Sequence, residues 1–263
     1  MSKGLSERQS CRLAGISRTG YHYLPQANDD EEVIAELVAY ARRRPRFGYR
    51  RAYRFVRKER PTINHKRVQR LWQRAKLQVL PRRRRKRRRD PQRQVPRQAL
   101  HPRHVITYDF MEDSTIDGRT LRILTMVDEF TRECLALYVA RSIPSAKVIS
   151  VLARVVERYG VPEFIRSDNG PEFIAQAVCS WILFQDAQTH HIDPASPWQN
   201  AYGESFNARL RDECLNLEEF TSVVEAQVIL DAWRKDYNTQ REHSGIGYLS
   251  PTEFYAAWLA RQP

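Results

Sequence analysis

Three acidic residues have types and spacing suited to metal-assisted chemistry. They are Asp109 in "HVITYDFM", Asp168 in "FIRSDNGPEF" and Glu204 in "PWQNAYGESFNARL". Thirty-five residues separate Asp168 from Glu204. Asp168 ends a short apolar run and precedes Asn169-Gly170, so a bare turn-opening role is the alternative reading. Three carboxylates gathered in one place repel one another, and no cationic residue adjoins them in the sequence. A hard divalent cation with oxygen ligands relieves that repulsion. Asp113, Asp117 and Asp128 compete for the same role. Asp128, in "VDEF", is the strongest rival because it also falls at a strand end, with capping or solvation as its alternative. His190 and His191 are not at metal-ligand spacing. Cys11, Cys134, Cys179 and Cys214 are spaced for neither a metal nor a disulfide framework and read as small buried side chains.

Acids so far apart in sequence need a scaffold that folds them together. After Arg103 the sequence carries three β-rich runs, "HVITYDFM", "GRTLRILTMVDEF" and "ECLALYVA", joined tightly enough to be antiparallel. A helix over 144–159 follows, with Val148, Val151, Leu152, Val155, Val156 and Tyr159 as its buried stripe and Gly160 as its stop. A short strand then reaches Asp168. A helix near 174–184, a β-like run near 188–193 and a helix opening near Gln199 complete the order. This is an α/β pattern with a mixed five-stranded sheet. A first strand in the middle of that sheet would neighbour the fourth and bring Asp109 towards Asp168. The helix after the last strand carries Glu204, with Asn207, Ala208 and Arg211 on the same face. Arg211 is a candidate DNA-phosphate contact; a surface pairing with a neighbouring acid is the equal alternative. A long helix over 221–238 is expected to pack on the core through Val224, Val228, Ala232 and Trp233, with Ile229 adjoining. Ser250 and Pro251 open a final short helix.

The first hundred residues read differently. Two short helices occupy 5–25, with Ser17 as a cap. A helix over 30–44 has Val33, Ile34, Leu37 and Val38 at helical spacing. A helix pair follows over 47–60 and 64–77, broken at Pro61 and capped by Asn64. Val68, Leu71 and Trp72 form the stripe of its second helix, among Lys66, Arg67, Arg70, Arg74 and Lys76. This is a basic helix-turn-helix-like module, and Arg67, Arg70 and Arg74 are candidate DNA contacts. Eight consecutive bases follow: Arg82, Arg83, Arg84, Arg85, Lys86, Arg87, Arg88 and Arg89. They read as part of an extended linker that orders on nucleic acid; a solvated charge run is the bland alternative. Residues 41–103 hold 26 Lys and Arg against 2 acids, which leaves 18 bases and 29 acids of the chain's 44 and 31 elsewhere. That clustering, net +24 against −11, is the footprint of a polyanionic partner rather than of general basicity. No run approaches the ~18 apolar residues of a membrane span, and the first residues have no signal-peptide core. A cytoplasmic, nucleoid-associated protein without membrane partners is expected.

The segments "HVITYDFMEDSTIDGRTLRILTMVDEFTREC", "IRSDNGPEF", "PWQNAYGESFNARLRDECLN" and "HSGIGYLSPTEF" together resemble the second-frame (OrfB-type) transposases of the IS3 family of insertion sequences. That family shares a retroviral-integrase-like catalytic core. "FGYRR" and the basic helices after it resemble the region ahead of that core. The chain departs from the family pattern at Ile106, where Trp is usual, at Glu242 in "REHS" and at Ala208 in "FNARL". None of these removes an acid of the triad. His243 falls in the family's terminal motif without an assigned role.

The resemblance implies an RNase H-like fold with Asp109, Asp168 and Glu204 as catalytic metal ligands. It implies two Mg²⁺ or Mn²⁺ ions, 3′-end cleavage of element DNA and strand transfer, with no covalent protein–DNA intermediate. Double-stranded DNA, a homo-oligomer in the active complex and an upstream-frame partner or fusion are the implied partners. The expected organisation is a basic helical region over 1–80, an Arg-rich linker over 81–103, the catalytic core over 104–215 and a helical extension over 216–263. A non-catalytic regulator with a decayed core is the alternative, and an intact acid triad speaks against it. A structure-specific nuclease is a weaker third reading.

Overall fold

The computed structural model describes residues 6–22, 29–79, 98–167, 176–185, 187–191 and 201–262. The chain folds as two compact units, Met1–Arg84 and Arg85–Pro263.

In the first unit the helices are α1 (Glu7–Leu13), α2 (Arg18–Tyr21), α3 (Asp30–Arg43), α4 (Tyr49–Glu59) and α5 (His65–Arg74). Ser17 and Asn64 accept from backbone N–H groups at the starts of α2 and α5, as their types predict. Val33, Leu37 and Tyr40 on α3 meet Ala52 and Val56 on α4 and Val68, Leu71 and Trp72 on α5 in one core. The first turn of α3 carries Asp30, Glu31 and Glu32, which suits a helix N-terminus. These acids also take up bases of the helix pair. Arg67 donates through Nε to Asp30 Oδ1 at 2.8 Å and through Nη2 to Asp29 Oδ1 at 2.7 Å. Arg60 pairs with Glu36 at 2.8 Å and with Asp29, and Arg74 with Glu31 at 2.7 Å.

The second unit is built on a five-stranded sheet of order β3-β2-β1-β4-β5. Its strands are β1 (Val105–Ser114), β2 (Thr120–Asp128), β3 (Cys134–Ala140), β4 (Phe164–Ser167) and β5 (Gln188–His191). The first three are antiparallel, whereas β4 runs parallel to β1 and β5 parallel to β4. The expected mixed sheet with a central first strand is the one observed. Alternating side chains send Ile106, Tyr108, Leu124, Met126 and Ile165 to a core with α6 (Ser145–Tyr159) and α7 (Gln176–Phe184). Met111, Ile123 and Val127 face the opposite core with α8 (Ala201–Leu210) and α9 (Val223–Thr239). Asp109, two residues before Met111, belongs to that second face. The chain closes with α10 (Pro251–Leu259), where Ser250 forms a capping box with Glu253 and Pro251 takes the first position.

The 221–238 helix exists as α9, but its buried face is not the expected one. Val224 and Val228 are 74% and 64% exposed. Trp233 and Ile229 pack on the core as expected, but the buried stripe they join is Ala226, Leu230 and Tyr237. The reason lies in β3, an edge strand whose outward backbone groups need partners. Gln227 takes the Val139 N–H and donates to the Leu137 carbonyl. Arg234 donates to the Leu135 carbonyl, and Asn238 takes the Cys134 N–H and donates to its carbonyl. With that stripe turned to the strand edge, Val224 and Val228 point outward.

Candidate active site

Asp109 sits half-buried in the middle of β1. Its Oδ1 accepts from the Phe110 N–H at 2.8 Å and its Oδ2 from Asn207 Nδ2 at 2.8 Å. Thr125, its cross-strand neighbour, holds the arrangement from the side. The Thr125 hydroxyl lies 3.1 Å from Asn207 Oδ1 and 3.2 Å from the Asp109 carbonyl oxygen. Asn207 is on α8, one turn after Glu204, so the two side chains share a helix face. Glu204 is exposed. The packing of Phe206 and Leu210 into the core beneath β1 and β2 fixes that face. Phe206 packs edge-on against Trp233 at 5.8 Å and Tyr237 at 5.1 Å on α9. After Leu210 the helix runs on into a π-helical turn, Arg211–Leu215, a device frequent at functional sites. Buried Arg241 clasps that turn through Glu213, its Nε donating to Oε2 at 2.6 Å.

The fold leads towards the third acid without reaching it. Strand β4 lies beside β1 with Thr107 opposite Arg166, and its last residue is Ser167. Asp168, Asn169 and Gly170 lie outside the described residues. Beneath β4 is a fully buried ion pair. Arg166 Nη1 donates to both carboxylate oxygens of Glu129, at 2.7 and 2.8 Å. Burial pushes the Glu129 carboxyl well above the usual carboxylate range, while the charges of Arg166 and Arg132 pull it back. Arg132, held at φ 66°, lays its guanidinium 3.8 Å over the ring of Tyr202 in the first turn of α8. One buried charge cluster therefore links β4, the β2–β3 turn and the start of the Glu204 helix.

The rival acids have other work. Asp128 is fully buried, bound to Arg103 Nη1 at 2.5 Å and capping the Phe130 N–H at 2.9 Å, so it closes the β2–β3 turn. Asp117 is held by Arg119, at 2.7 Å to Nε, and by Thr115 at 2.5 Å in the exposed β1–β2 hairpin, which keeps its carboxyl far below the usual range. Asp113 caps the next N–H at the end of β1. His243 is buried edge-on against Tyr237 at 4.7 Å, which gives the terminal motif a packing role. His190 and His191 lie in β5.

Among the basic candidates, Arg67 is occupied by Asp29 and Asp30, only 29% of its side chain remaining exposed. That makes it a brace between α3 and α5. Arg211 donates to the Glu112 carbonyl at 2.6 Å, tying the π-turn to the end of β1. This backbone partner was not foreseen in the sequence. Arg70 is exposed and Arg74 shares an exposed pair with Glu31. The run from Arg82 to Arg89 lies outside the described residues.

The functional side chains that sequence reasoning did not assign are Asn207, Thr125, Glu129, Arg132 and Arg166. Asn207 was visible one turn after Glu204, but its partner is 98 positions away. A lone Arg inside the apolar β4 run, "FIRS", was the available sign of a buried ion pair.

Residues 99–197 and 185–251 match two families described as integrase core domain, and residues 26–86 an HTH-like domain. An insertion element IS407 protein of 31.7 kDa from Burkholderia multivorans is 41% identical, over 96% of this chain and 91% of its own length. An insertion element IS476 protein from Xanthomonas euvesicatoria is 39% identical over 98% of this chain and 75% of its own. The putative transposase InsK of IS150 from Escherichia coli is 24% identical over 92% and 91%. A chain of the cryoEM structure of the simian T-cell lymphotropic virus intasome in complex with PP2A regulatory subunit B56 gamma aligns with TM-score 0.52. That alignment has 16% identity and covers 88% of this chain and 75% of that one.

Proposed function

The chain belongs to the IS3 family of insertion-sequence transposases, as an OrfB-type protein with an RNase H-like integrase core, and from that membership we propose that Asp109, Asp168 and Glu204 form its catalytic centre. The protein is a DNA transposase, a DDE-type polynucleotidyl transferase that uses divalent metal. The observation that carries the residue assignment is the Asn207–Asp109 hydrogen bond, which ties the Glu204 helix to the Asp109 strand. The side-chain chemistry fits the metal: Asp109 and Glu204 offer oxygen donors on one face of the sheet, as a hard cation requires. Asp168, the residue after Ser167 at the end of the neighbouring strand, completes the set.

In this reading the carboxylates of Asp109, Asp168 and Glu204 would together hold the metal. Two Mg²⁺ or Mn²⁺ ions would activate a water or a DNA 3′-hydroxyl and stabilise the leaving 3′-oxygen. Asn207 keeps the Asp109 carboxylate turned towards α8. No Ser, Tyr or Cys nucleophile is required, so no protein–DNA bond forms. Donor-end cleavage precedes strand transfer on the same three acids.

Arg70, Arg74 and the run Arg82–Arg89 supply the phosphate contacts that orient the duplex without reading its sequence. Arg67, bonded through Nε and Nη2 to Asp29 and Asp30, and exposed Arg211, bonded through Nη2 to the Glu112 carbonyl, belong to the same proposed track. The helical region 1–80 and the linker 81–103 carry DNA, 104–215 cuts it, and 216–263 braces the core. Joining two DNA ends calls for at least two copies and, in this family, for an upstream-frame partner or fusion supplying end recognition. A DNA substrate places the protein at the nucleoid in the cytoplasm.

The test is Mg²⁺- or Mn²⁺-dependent nicking of an element-end duplex by the wild type and by Asp109→Asn, Asp168→Asn and Glu204→Gln. Each substitution lowers the rate on the order of a hundredfold or more while DNA binding persists. Undiminished nicking by any of the three removes that residue from the centre. A wild type with no nicking at all supports a decayed, regulatory protein.

A further inference from the structure

Two histidines and a glutamate meet at the starts of β1 and β4. His101 and His104 come from the segment leading into β1, and Glu163 from the residue before β4. The two imidazole rings lie 4.8 Å apart, and His104 is further fixed edge-on against Phe164 at 5.5 Å. His101 Nε2 is 3.0 Å from Glu163 Oε1, and His104 Nε2 is 3.5 Å from Glu163 Oε2. Ligand atoms of all three residues lie within 4.8 Å of one another, the one such group of His, Cys, Asp and Glu among the described residues.

The second nitrogen of His101 also has a partner. Its Nδ1 lies 3.1 Å from the Pro102 carbonyl oxygen, an atom that can only accept. In the tautomer that uses this acceptor, Nδ1 carries the hydrogen. In the neutral ring Nε2 is then the lone-pair nitrogen, and it faces a carboxylate oxygen at hydrogen-bond distance. In that tautomer the nitrogen lone pair and the carboxylate oxygen face each other as two donors to a metal ion would. An imidazole whose second nitrogen is anchored to a carbonyl is also the usual arrangement of a metal-ligating histidine.

We propose that His101 Nε2, His104 Nε2 and the Glu163 carboxylate form a transition-metal site of the Zn²⁺ class. Donors around a tetrahedral ion at about 2.0–2.1 Å stand about 3.3 Å apart. His101 Nε2 at 3.0 Å from Oε1 and His104 Nε2 at 3.5 Å from Oε2 each stand near that distance from a different oxygen of Glu163. Two imidazoles and one carboxylate select Zn²⁺ or a similar ion over Mg²⁺, so the site is chemically separate from an all-carboxylate centre. His104 is the weaker nitrogen ligand. Its Nδ1 accepts from the Leu100 N–H at 3.0 Å, and coordination through Nε2 moves the ring hydrogen to Nδ1 and gives up that bond. His101 and Glu163 are the principal pair. A bound ion staples the start of β1 to the start of β4, the two strands that lead to Asp109 and Asp168, and leaves a fourth position for water. The site does not depend on the catalytic assignment.

The experiment uses the full chain, freed of metal, titrated with Zn²⁺ by calorimetry in two buffers of different protonation enthalpy and with Co²⁺ by visible absorption. One equivalent of Zn²⁺ binds with proton release, and Co²⁺ gives a tetrahedral spectrum that Zn²⁺ displaces. His101→Ala and Glu163→Gln, whose side chains are 43% and 55% exposed in the wild type, keep the metal-free melting temperature and Mg²⁺-dependent nicking. Both lose Zn²⁺ affinity at least about tenfold, roughly the loss of one ligand bond. Asp109→Asn binds Zn²⁺ like the wild type. If Zn²⁺ binding is absent, or equal in His101→Ala and the wild type, His101 and Glu163 hold no metal and the proposal is overturned.

Discussion

Asn207 spends both ends of its amide beside the proposed centre, donating to Asp109 and accepting from Thr125. A carboxylate that repels its neighbours would otherwise rotate away from them, so this amide sets where the Asp109 oxygens point. Asn207→Leu keeps the branched shape and removes both bonds. It lowers nicking about tenfold to a hundredfold, the scale of a small misplacement in a reacting site, with little change in duplex binding. Unchanged nicking would reduce Asn207 to a packing residue. The proposed acids stood out in the sequence because three carboxylates near β-rich and helical runs, with a 35-residue interval between the last two, form an unusual set. Asn207's role was not, since nothing local distinguishes an amide that caps solvent from one that meets a strand 98 positions away.

Helix starts and the sheet were readable for a local reason: Ser17, Asn64 and Ser250 cap through their own neighbours, and strand alternation is written into adjacent residues. The face of α9 was not. Val224 and Val228 look like a core stripe, yet Gln227, Arg234 and Asn238 are drawn to the open edge of β3, and that tertiary demand sets the rotation. The pair Glu129–Arg166 has the same character, joining the β2–β3 turn to β4 beneath the end that leads to Asp168. Its titration has a definite sign. Because the Glu129 carboxyl is raised in the folded protein, the native state holds its proton at pH values where the unfolded chain has released it. Its contribution is therefore complete below the ordinary carboxylate range and fades as pH rises towards neutrality. Denaturant unfolding at about pH 5 and about pH 7.5 will show this loss in the wild type and a smaller one in Glu129→Gln. A slope that survives the substitution intact would assign it to other groups.

Across the whole molecule, charge is divided rather than spread. The helix pair and the run after it hold the bases, while α3 takes back part of that charge through Asp29, Asp30, Glu31 and Glu36. The longest unbroken block of bases is Arg82–Arg89, the proposed DNA contact. Replacing those eight residues by alanine will flatten the dependence of log K on log salt by up to about 7, near 0.9 per phosphate contact. A slope unchanged by that replacement would place the contacts elsewhere. No helix among the described residues is long and apolar enough to cross a membrane. The central claim, that acids from β1, the end of β4 and α8 share divalent ions, is tested most directly by the anomalous signal of Mn²⁺ in crystals of the protein bound to element-end DNA. The account predicts Mn²⁺ within about 2.5 Å of carboxylate oxygens of Asp109, Asp168 and Glu204 together. Mn²⁺ bound elsewhere in crystals that cleave their DNA would contradict it.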